Sequence, residues 1–514
     1  MISPYNFFRK TLCCTVISLA LCGMTVAQQH TNGSESLAED EFRRLLKTVE
    51  QNPADLSVHQ EFIKEAGIDD PRVEDQYKAW AKKYPKMPEI PFALGTAYAR
   101  VESPKAKPWL LKAISADPSY SKAYFDLWLD AERWGDFEGG REFLGKAKEA
   151  APDNPDYNFY YASSFHNIDK EKYRTLSLEV ARKFPDHQRG AQALYWLAHR
   201  FSDTKERIGY FELLKKSYAP EKFSWSSSGM SGYFDLLLEH DAEKALSLAK
   251  EMEEKMASNE NQQKLWQTNV ANASYVVKAQ ELLAANKAEE AAAILEQVKL
   301  SRWSRANVPV LIRKAAVKHA AGKTGLAYEE LKKTYAKEPV TAVEAALLQY
   351  GKHLGKTPEQ VQKDVRYIRD TAAKAATAFT LKRYLTEGSL SLDELKGKVV
   401  LITYWFPGCG PCRGEFPHFE NVVRKFKDRD FEYIGINIVP DQNPYVVPFM
   451  KSSGYSFTPL EDFPGRDKGN LDNRNAAPVN FLLDKKGRII FSNFRTDEHN
   501  EAVLENMISS LLTS

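Results

Sequence analysis

Apolar residues recur at helical spacing from Glu41 to about Thr371, after which the texture changes to short apolar runs divided by turns. Tyr124, Leu127, Trp128 and Ala131 stand at i, i+3, i+4 and i+7, one face of a helix. Gly135-Asp136 interrupts that face, and Phe143, Leu144 and Ala147 restart it before Pro152. Prolines follow successive helix pairs at Pro53, Pro85, Pro118, Pro152, Pro185 and Pro220, 32 to 35 residues apart. That period predicts a helix-turn-helix repeat of about 34 residues. Beyond Pro220 the period decays, although helix pairs still divide at Ala285-Asn286-Lys287 and at Gly322-Lys323. Phe223-Ser224-Trp225-Ser226-Ser227-Ser228-Gly229 reads as a loop. Thr357-Pro358-Glu359-Gln360 predicts one more helix, with Thr357 at the N-cap, Pro358 at N1, Gln360 closing a capping box, and an end near Ala376.

The second texture begins near Ala373. Phe379-Thr380-Leu381 predicts a strand, Ser391 to Leu395 a helical turn, and Lys398 to Trp405 a buried central strand, near-continuously apolar. A helix from about Cys409 to Lys427, a strand Phe431 to Ile438 and a helix over roughly Val446 to Ser452 follow. Asn480 to Asp484 and Arg488 to Phe491, joined by Lys485-Lys486-Gly487, form a hairpin, and a last helix covers about Asn500 to Leu512. The predicted architecture is a multidomain chain, an all-α solenoid followed by a compact α/β domain. Its segments are 1–27 signal peptide, 28–40 linker, 41–372 helical repeats and 373–514 the α/β domain.

The 514-residue length requires more than one domain. With 43% hydrophobic and 27% charged residues the composition is ordinary for a globular chain. A net charge of +2 is too small to argue for nucleic acid or an anionic membrane surface, and no nucleic acid is expected as a partner. Arg9-Lys10, the apolar run Leu12 to Leu21 and the small residue Ala27 have the layout of a cleaved export signal, with a retained anchor or a cytosolic chain as the alternatives. Leu21 stands where bacterial lipoprotein signals resemble one another in using a small residue, which argues against lipid anchoring at Cys22. Cleavage near Ala27 removes Cys13, Cys14 and Cys22, so the mature chain keeps Cys409 and Cys412. An exported chain commonly uses cysteines as structural staples. Here the pair has no partner outside itself, so its purpose is chemical.

Cys409-Gly410-Pro411-Cys412 lies where a strand feeds a helix. Cys409 falls at the helix N-terminus, where free N–H groups and the macrodipole favour a thiolate, making it the attacking sulfur. Cys412, one turn further in, is the shielded resolving thiol of the redox disulfide. Competing chemistries fail on ligands. Arg413 stands where a c-type haem site needs His, and no third mature cysteine supports zinc. Ile402 and Phe406 occupy the Pro and Ser/Thr positions of a peroxiredoxin pattern. No metal and no cofactor is expected.

Two resemblances add to this reading. Leu94-Gly95-Thr96-Ala97-Tyr98, followed by Ala106, Leu110, Ala113 and Pro118, resembles the core of a tetratricopeptide repeat. The next repeat has Leu127-Trp128 in place of Leu-Gly, which puts close packing of its first helix in question. Such repeats stack into a solenoid with a concave face, read either as a groove for a protein or peptide partner or as a spacer or dimerisation surface. Trp109, Trp134, Tyr160, Tyr161 and Trp196 are assigned to its core rather than to a ligand platform.

Ala378-Phe379-Thr380-Leu381, Leu395 to Leu401, Trp405 and Cys409-Gly410-Pro411-Cys412-Arg413 resemble the thioredoxin-like family, in particular the exported TlpA/ResA-type disulfide reductases. The resemblance covers about the last 140 residues. It implies a periplasmic or cell-envelope thiol–disulfide oxidoreductase acting on protein disulfide clients, recharged by a redox partner that is soluble or membrane-bound. It makes Pro478 the candidate cis-proline facing the cysteines, and Trp405, Gly410, Pro411 and Ala477 the substrate contacts. Ala477 replaces the Thr, Gly or Val often found there. The Gly-Pro pair implies a reductant. Thr403 stands where thioredoxins carry a buried acid, whereas Glu415 matches an acid that ResA-like proteins place near the pair. Glu415 therefore reads either as the proton acceptor for Cys412 or as an ordinary acid of the first helical turns. Gly408, in place of a common Trp, predicts an open Cys409. The alternative to an enzyme is a protein-interaction scaffold whose redox domain is regulatory or vestigial. The oligomeric state is left open.

Overall fold

The computed structural model describes residues 38–513. The export-signal reading, with Cys13, Cys14, Cys22 and Ala27, lies outside the described residues, as does most of the linker.

From Glu39–Gln51 to Pro358–Ala372 every element is a helix. The periodic prolines sit two or three residues beyond helix ends: Pro85 follows Pro71–Lys83, Pro118 follows Ala106–Ala116 and Pro152 follows Phe137–Ala150. Proline cannot continue a helix, so each ends a pair and turns the chain into the next. Asp70, Asp136, Asp169 and Asp203 cap the following or second helices by accepting backbone N–H bonds. Thr357 and Gln360 form the expected capping box, but that helix stops at Ala372 rather than Ala376.

The repeat core is held by small residues at helix crossings. A Cβ on Gly95 would lie 2.9 Å from Leu110 Cδ2 and 3.0 Å from the Leu110 backbone N, so helices Glu89–Arg100 and Ala106–Ala116 touch there. In the next pair Trp128 occupies the equivalent place, and the small residue has moved to the opposite helix: a Cβ on Gly140 would approach Trp128 Cδ1 to 3.3 Å. Close packing survives by exchanging the large and small partners. Trp109 and Tyr160 are buried as expected, but Trp134 packs across on Tyr445 of the α/β domain, ring centroids 4.8 Å apart. The predicted loop at 223–229 is instead the first turns of helix Ser224–His240. Its serines and Gly229 pack closely: Ser226 is fully buried, and a Cβ on Gly229 would meet Leu214 Cδ2 at 2.5 Å. Small residues here serve helix packing rather than a turn.

The C-terminal part is built on one eight-stranded sheet. Its strands are β1 (Lys374–Ala375), β2 (Thr380–Arg383), β3 (Ser389–Ser391), β4 (Val399–Trp405), β5 (Phe431–Asn437), β6 (Thr458–Glu461), β7 (Val479–Leu483) and β8 (Arg488–Ser492). They lie in the order β1-β8-β7-β4-β5-β6-β2-β3. β4 pairs parallel with β5 and antiparallel with β7, and β5 pairs parallel with β6. Every residue of β4 is buried. Val399, Leu401 and Trp405 face a cluster with helices Gly410–Val423, Asn443–Ser453 and Glu501–Leu512, while Val400, Ile402 and Tyr404 face Phe379, Leu381, Leu390 and Leu395. The alternation follows the two-residue period of a strand covered on both sides.

Candidate functional site

The parallel strand β4 ends at Trp405, and Phe406-Pro407-Gly408 turns the chain into helix Gly410–Val423. The Phe406 carbonyl accepts the Cys409 N–H at 2.9 Å. Cys409 is the N-cap, and its Sγ accepts the Cys412 backbone N–H at 3.2 Å. That contact sets the first sulfur among the unsatisfied donors of a helix N-terminus, where negative charge is stabilised. Cys409 and Cys412 are joined as a disulfide with Cα atoms 5.3 Å apart. Gly410 is half-buried and Pro411 exposed.

The Ala477–Pro478 peptide bond is cis. Pro478 is buried, and Ala477 packs on the apolar cluster that contains both cysteines. Trp405 does not reach that surface. It is fully buried among Phe416, Phe449 and Phe457, ring centroids 5.6, 5.1 and 5.0 Å away. The expected substrate contact is therefore a core residue, placed inward because β4 has apolar layers on both faces.

Glu415 is 4% exposed. Its Oε1 accepts from the Thr496 N–H at 3.3 Å and pairs with the Arg495 charge, Nε 2.7 Å away, while its Oε2 accepts from Asn480 Nδ2 at 3.1 Å. Asn480 in turn accepts from Thr403 Oγ1 at 2.9 Å. Thr403, the β4 residue found in place of an acid, thus supports through β7 the acid on the helix. Burial pushes the Glu415 carboxyl up to about 7, with the Arg495 charge opposing the rise. A solvated acid of a first helical turn has neither this burial nor this hold on its proton. One turn separates Glu415 from Cys412, so both lie on one helix face.

The expectation of an open Cys409 is overturned. Cys409 is 2% exposed. The Gly408 N–H donates to Gln442 Oε1 at 2.6 Å, and Gln442 Nε2 donates to Glu102 of the repeats. A Cβ on Gly408 would lie 2.8 Å from Gln442 Nε2 and 3.2 Å from Glu102 Oε1, so the room left by the missing side chain is filled by Gln442 with Glu102 of the repeats behind it. Beside it, Arg413 Nε donates to Glu132 Oε2 at 3.1 Å while Nη1 donates to the Pro407 carbonyl at 2.8 Å. Among the described residues no cluster of His, Cys, Asp or Glu could hold a metal ion, and no helix is long and apolar enough to cross a membrane.

Sequence reasoning missed Arg495, Asn480, Glu102, Gln442 and Glu132. Asn480 alone left a local signal, a polar residue opening an otherwise apolar strand. The others reach the site across the fold and carry no mark in the chain.

A sheet with a central parallel strand, a Cys-x-x-Cys at the strand-to-helix junction and a cis-proline beside it define a thioredoxin-like domain. Residues 371–508 match the family model described as Redoxin. A 103-residue segment is 33% identical to the thiol-disulfide oxidoreductase ResA of Bacillus subtilis (strain 168), covering 20% of this chain and 55% of that protein. Another, of 117 residues, is 32% identical to the thioredoxin-like protein YneN of the same organism, covering 22% of this chain and 66% of that one. The chain thus spans little more than half the length of the first of these relatives. A solution structure of a putative protein disulfide isomerase from Bacteroides thetaiotaomicron is 32% identical over 27% of this chain and 89% of that one, with a TM-score of 0.25.

Proposed function

We propose that the chain is an exported thiol–disulfide oxidoreductase that reduces disulfides of protein clients through Cys409 and Cys412, with the helical repeats holding a partner against the redox domain. The observation that carries this reading is the buried Glu415 carboxyl one helical turn from a Cys409–Cys412 disulfide. A buried acid near neutrality is poised to exchange a proton with a thiol.

In the reduced chain, the Cys409 thiolate attacks a client disulfide. A Cys409–client bond forms, and the client's other sulfur leaves as a thiolate that takes up a proton. Glu415 then accepts the Cys412 proton, and the Cys412 thiolate attacks Cys409 Sγ. The Cys409–Cys412 bond forms, the client bond breaks, and the second client sulfur leaves as a thiolate and is protonated. The client disulfide has been reduced and the protein dithiol oxidised by two electrons. A dithiol donor must reverse the change. The names of the ResA relatives support the class of reaction, and the Gly-Pro pair supports the reducing direction.

The closed Cys409 favours a second reading, in which the repeats are the main functional part and the redox domain regulates them. The test is reduction of a client disulfide by the full chain. Loss of reduction in Cys409→Ser supports the enzyme; full retention in that variant eliminates it. Partner capture that responds only to the redox state would favour the second reading.

A further inference from the structure

Arg495 lies after β8, far in sequence from the cysteines, yet it joins two parts of the site. Its Nε lies 2.7 Å from Glu415 Oε1 as an ion pair, and its Nη1 donates to the carbonyl of Pro478 at 2.8 Å. The ion pair holds a carboxylate on the helix that carries Cys412. The hydrogen bond holds the cis-proline segment, whose Ala477 packs on the apolar cluster that contains both cysteines. The Arg495 side chain is 48% exposed while that of Glu415 is 6% exposed, so the guanidinium reaches inward from the domain surface.

We propose that Arg495 is a positioning residue of the redox site, a single guanidinium that orients both the carboxylate serving Cys412 and the cis-proline segment against which a client disulfide lies. This deepens the thiol–disulfide reading and rests on it. A planar guanidinium carries its charge and its Nη1 donor in one rigid group, so it ties the ion pair and the carbonyl to one orientation. A lysine ammonium can match the charge but not that fixed plane. The structure thereby links client contact to proton transfer: movement of the Pro478 carbonyl pulls on the group that balances Glu415.

The charged surroundings of Glu415 set the direction of the effect. From the segment after β8, Arg495 favours the ionised carboxylate and Asp497 disfavours it. From β5 the buried Tyr433 phenol faces it, and from β7 the neutral Asn480 bonds to it. On its own helix, Arg413 is turned to Glu132 and His418 to Glu501, and Arg495 is the cation paired with Glu415. Removing that cation makes the carboxylate harder to ionise.

The test uses the full chain and the variants Arg495→Met and Arg495→Lys. Two quantities are followed: the pH profile of reduction of a peptide disulfide, with KM and kcat separated, and the titration of the Glu415 carboxyl by infrared difference spectroscopy against Glu415→Gln. In Arg495→Met the carboxyl titration and the profile midpoint move up together by about one pH unit, the low end expected for losing an opposite charge. In Arg495→Lys the midpoint returns toward wild type while KM stays raised, because the Pro478 bond is not replaced. An unmoved carboxyl titration in both variants, or unchanged KM in both, overturns the inference. The carboxyl titration needs no turnover. A wild-type chain that reduces no disulfide therefore defeats the thiol–disulfide reading by itself, while Arg495 is still judged on the titration. Should Arg495→Met fail to fold, Arg495→Lys carries the KM comparison and Arg495→Gln the titration.

Discussion

Arg413, the residue after the second cysteine, donates from Nε to Glu132 Oε2 at 3.1 Å, across 281 positions of sequence. The pair is about four-fifths buried on each side. Burial pulls the Arg413 proton affinity down, and Glu132 opposes that loss. With the Glu102–Gln442 bond, it fastens the repeats beside the redox disulfide.

Glu132→Ala is expected to loosen this contact, because it leaves a buried guanidinium without its partner. A buried pair broken on one side costs about 3 kcal/mol, less where water reaches it, so about 2 kcal/mol is the expectation here. Alkylation of Cys409 in the reduced chain by a bulky maleimide should then rise by up to about thirtyfold, the ratio that about 2 kcal/mol provides. An unchanged rate would show that the contact does not limit access.

Gly135 caps helix Ser121–Trp134 with φ +71°, and a Cβ there would lie 2.7 Å from the Phe449 carbonyl oxygen. Gly135→Ala combines a left-handed backbone strain with a backbone clash. A cost of about 2 kcal/mol or more is expected, read as a lower thermal midpoint and faster hydrogen exchange in Asn443–Ser453.

Asp130 is fully buried, and burial raises its carboxyl to about 6 from an ordinary value of 3.8. The unfolded chain ionises this group more readily than the folded one. Stability is therefore unaffected below about pH 4, falls as pH rises toward 6, and carries the full cost above that. Asp130→Asn keeps an acceptor for Trp134 Nε1. The buried carboxyl titrates about two pH units above an ordinary one, and each pH unit is worth about 1.36 kcal/mol. The substitution should therefore add up to about 3 kcal/mol at pH 8 and nothing at about pH 4. Denaturant titrations at the two pH values check both halves.

Glu415→Gln should slow the release of client from the mixed disulfide by about a hundredfold at pH 8, the lower edge of the roughly 10²–10⁴-fold range of general acid–base effects. The carboxyl near 7 predicts that the wild-type rate rises as pH passes from 6 to 8. The variant should lose that rise. Single-turnover kinetics across this range decides it.

Much of the architecture is legible in local spacing. The repeat period is written in prolines that fall just beyond helix ends, and Gly95 can be read as a contact because only a glycine admits Leu110 so closely. The strand-to-helix placement of Cys409 follows from one apolar run. What escaped depended on distant partners. Gly408 read as an opening, because nothing nearby shows that Gln442, backed by Glu102, fills the space. Trp405 is given to the substrate by resemblance although its own strand reads as buried, and the structure follows the strand. Residues 223–229 read as a loop, because small polar residues favour turns unless a neighbouring helix needs the room. β6 was missed because Thr458-Pro459-Leu460-Glu461 is short and contains proline, and its place between β5 and β2 comes from the sheet.

Dithiol–disulfide exchange by Cys409 and Cys412 is the central claim. The direct measurement is trapping by the full chain with Cys412→Ser, compared with Cys409→Ser, in the presence of a disulfide-containing peptide. A mixed disulfide between Cys409 and the peptide is expected in Cys412→Ser, none in Cys409→Ser, and turnover only with both cysteines. Turnover that survives in Cys409→Ser would contradict it.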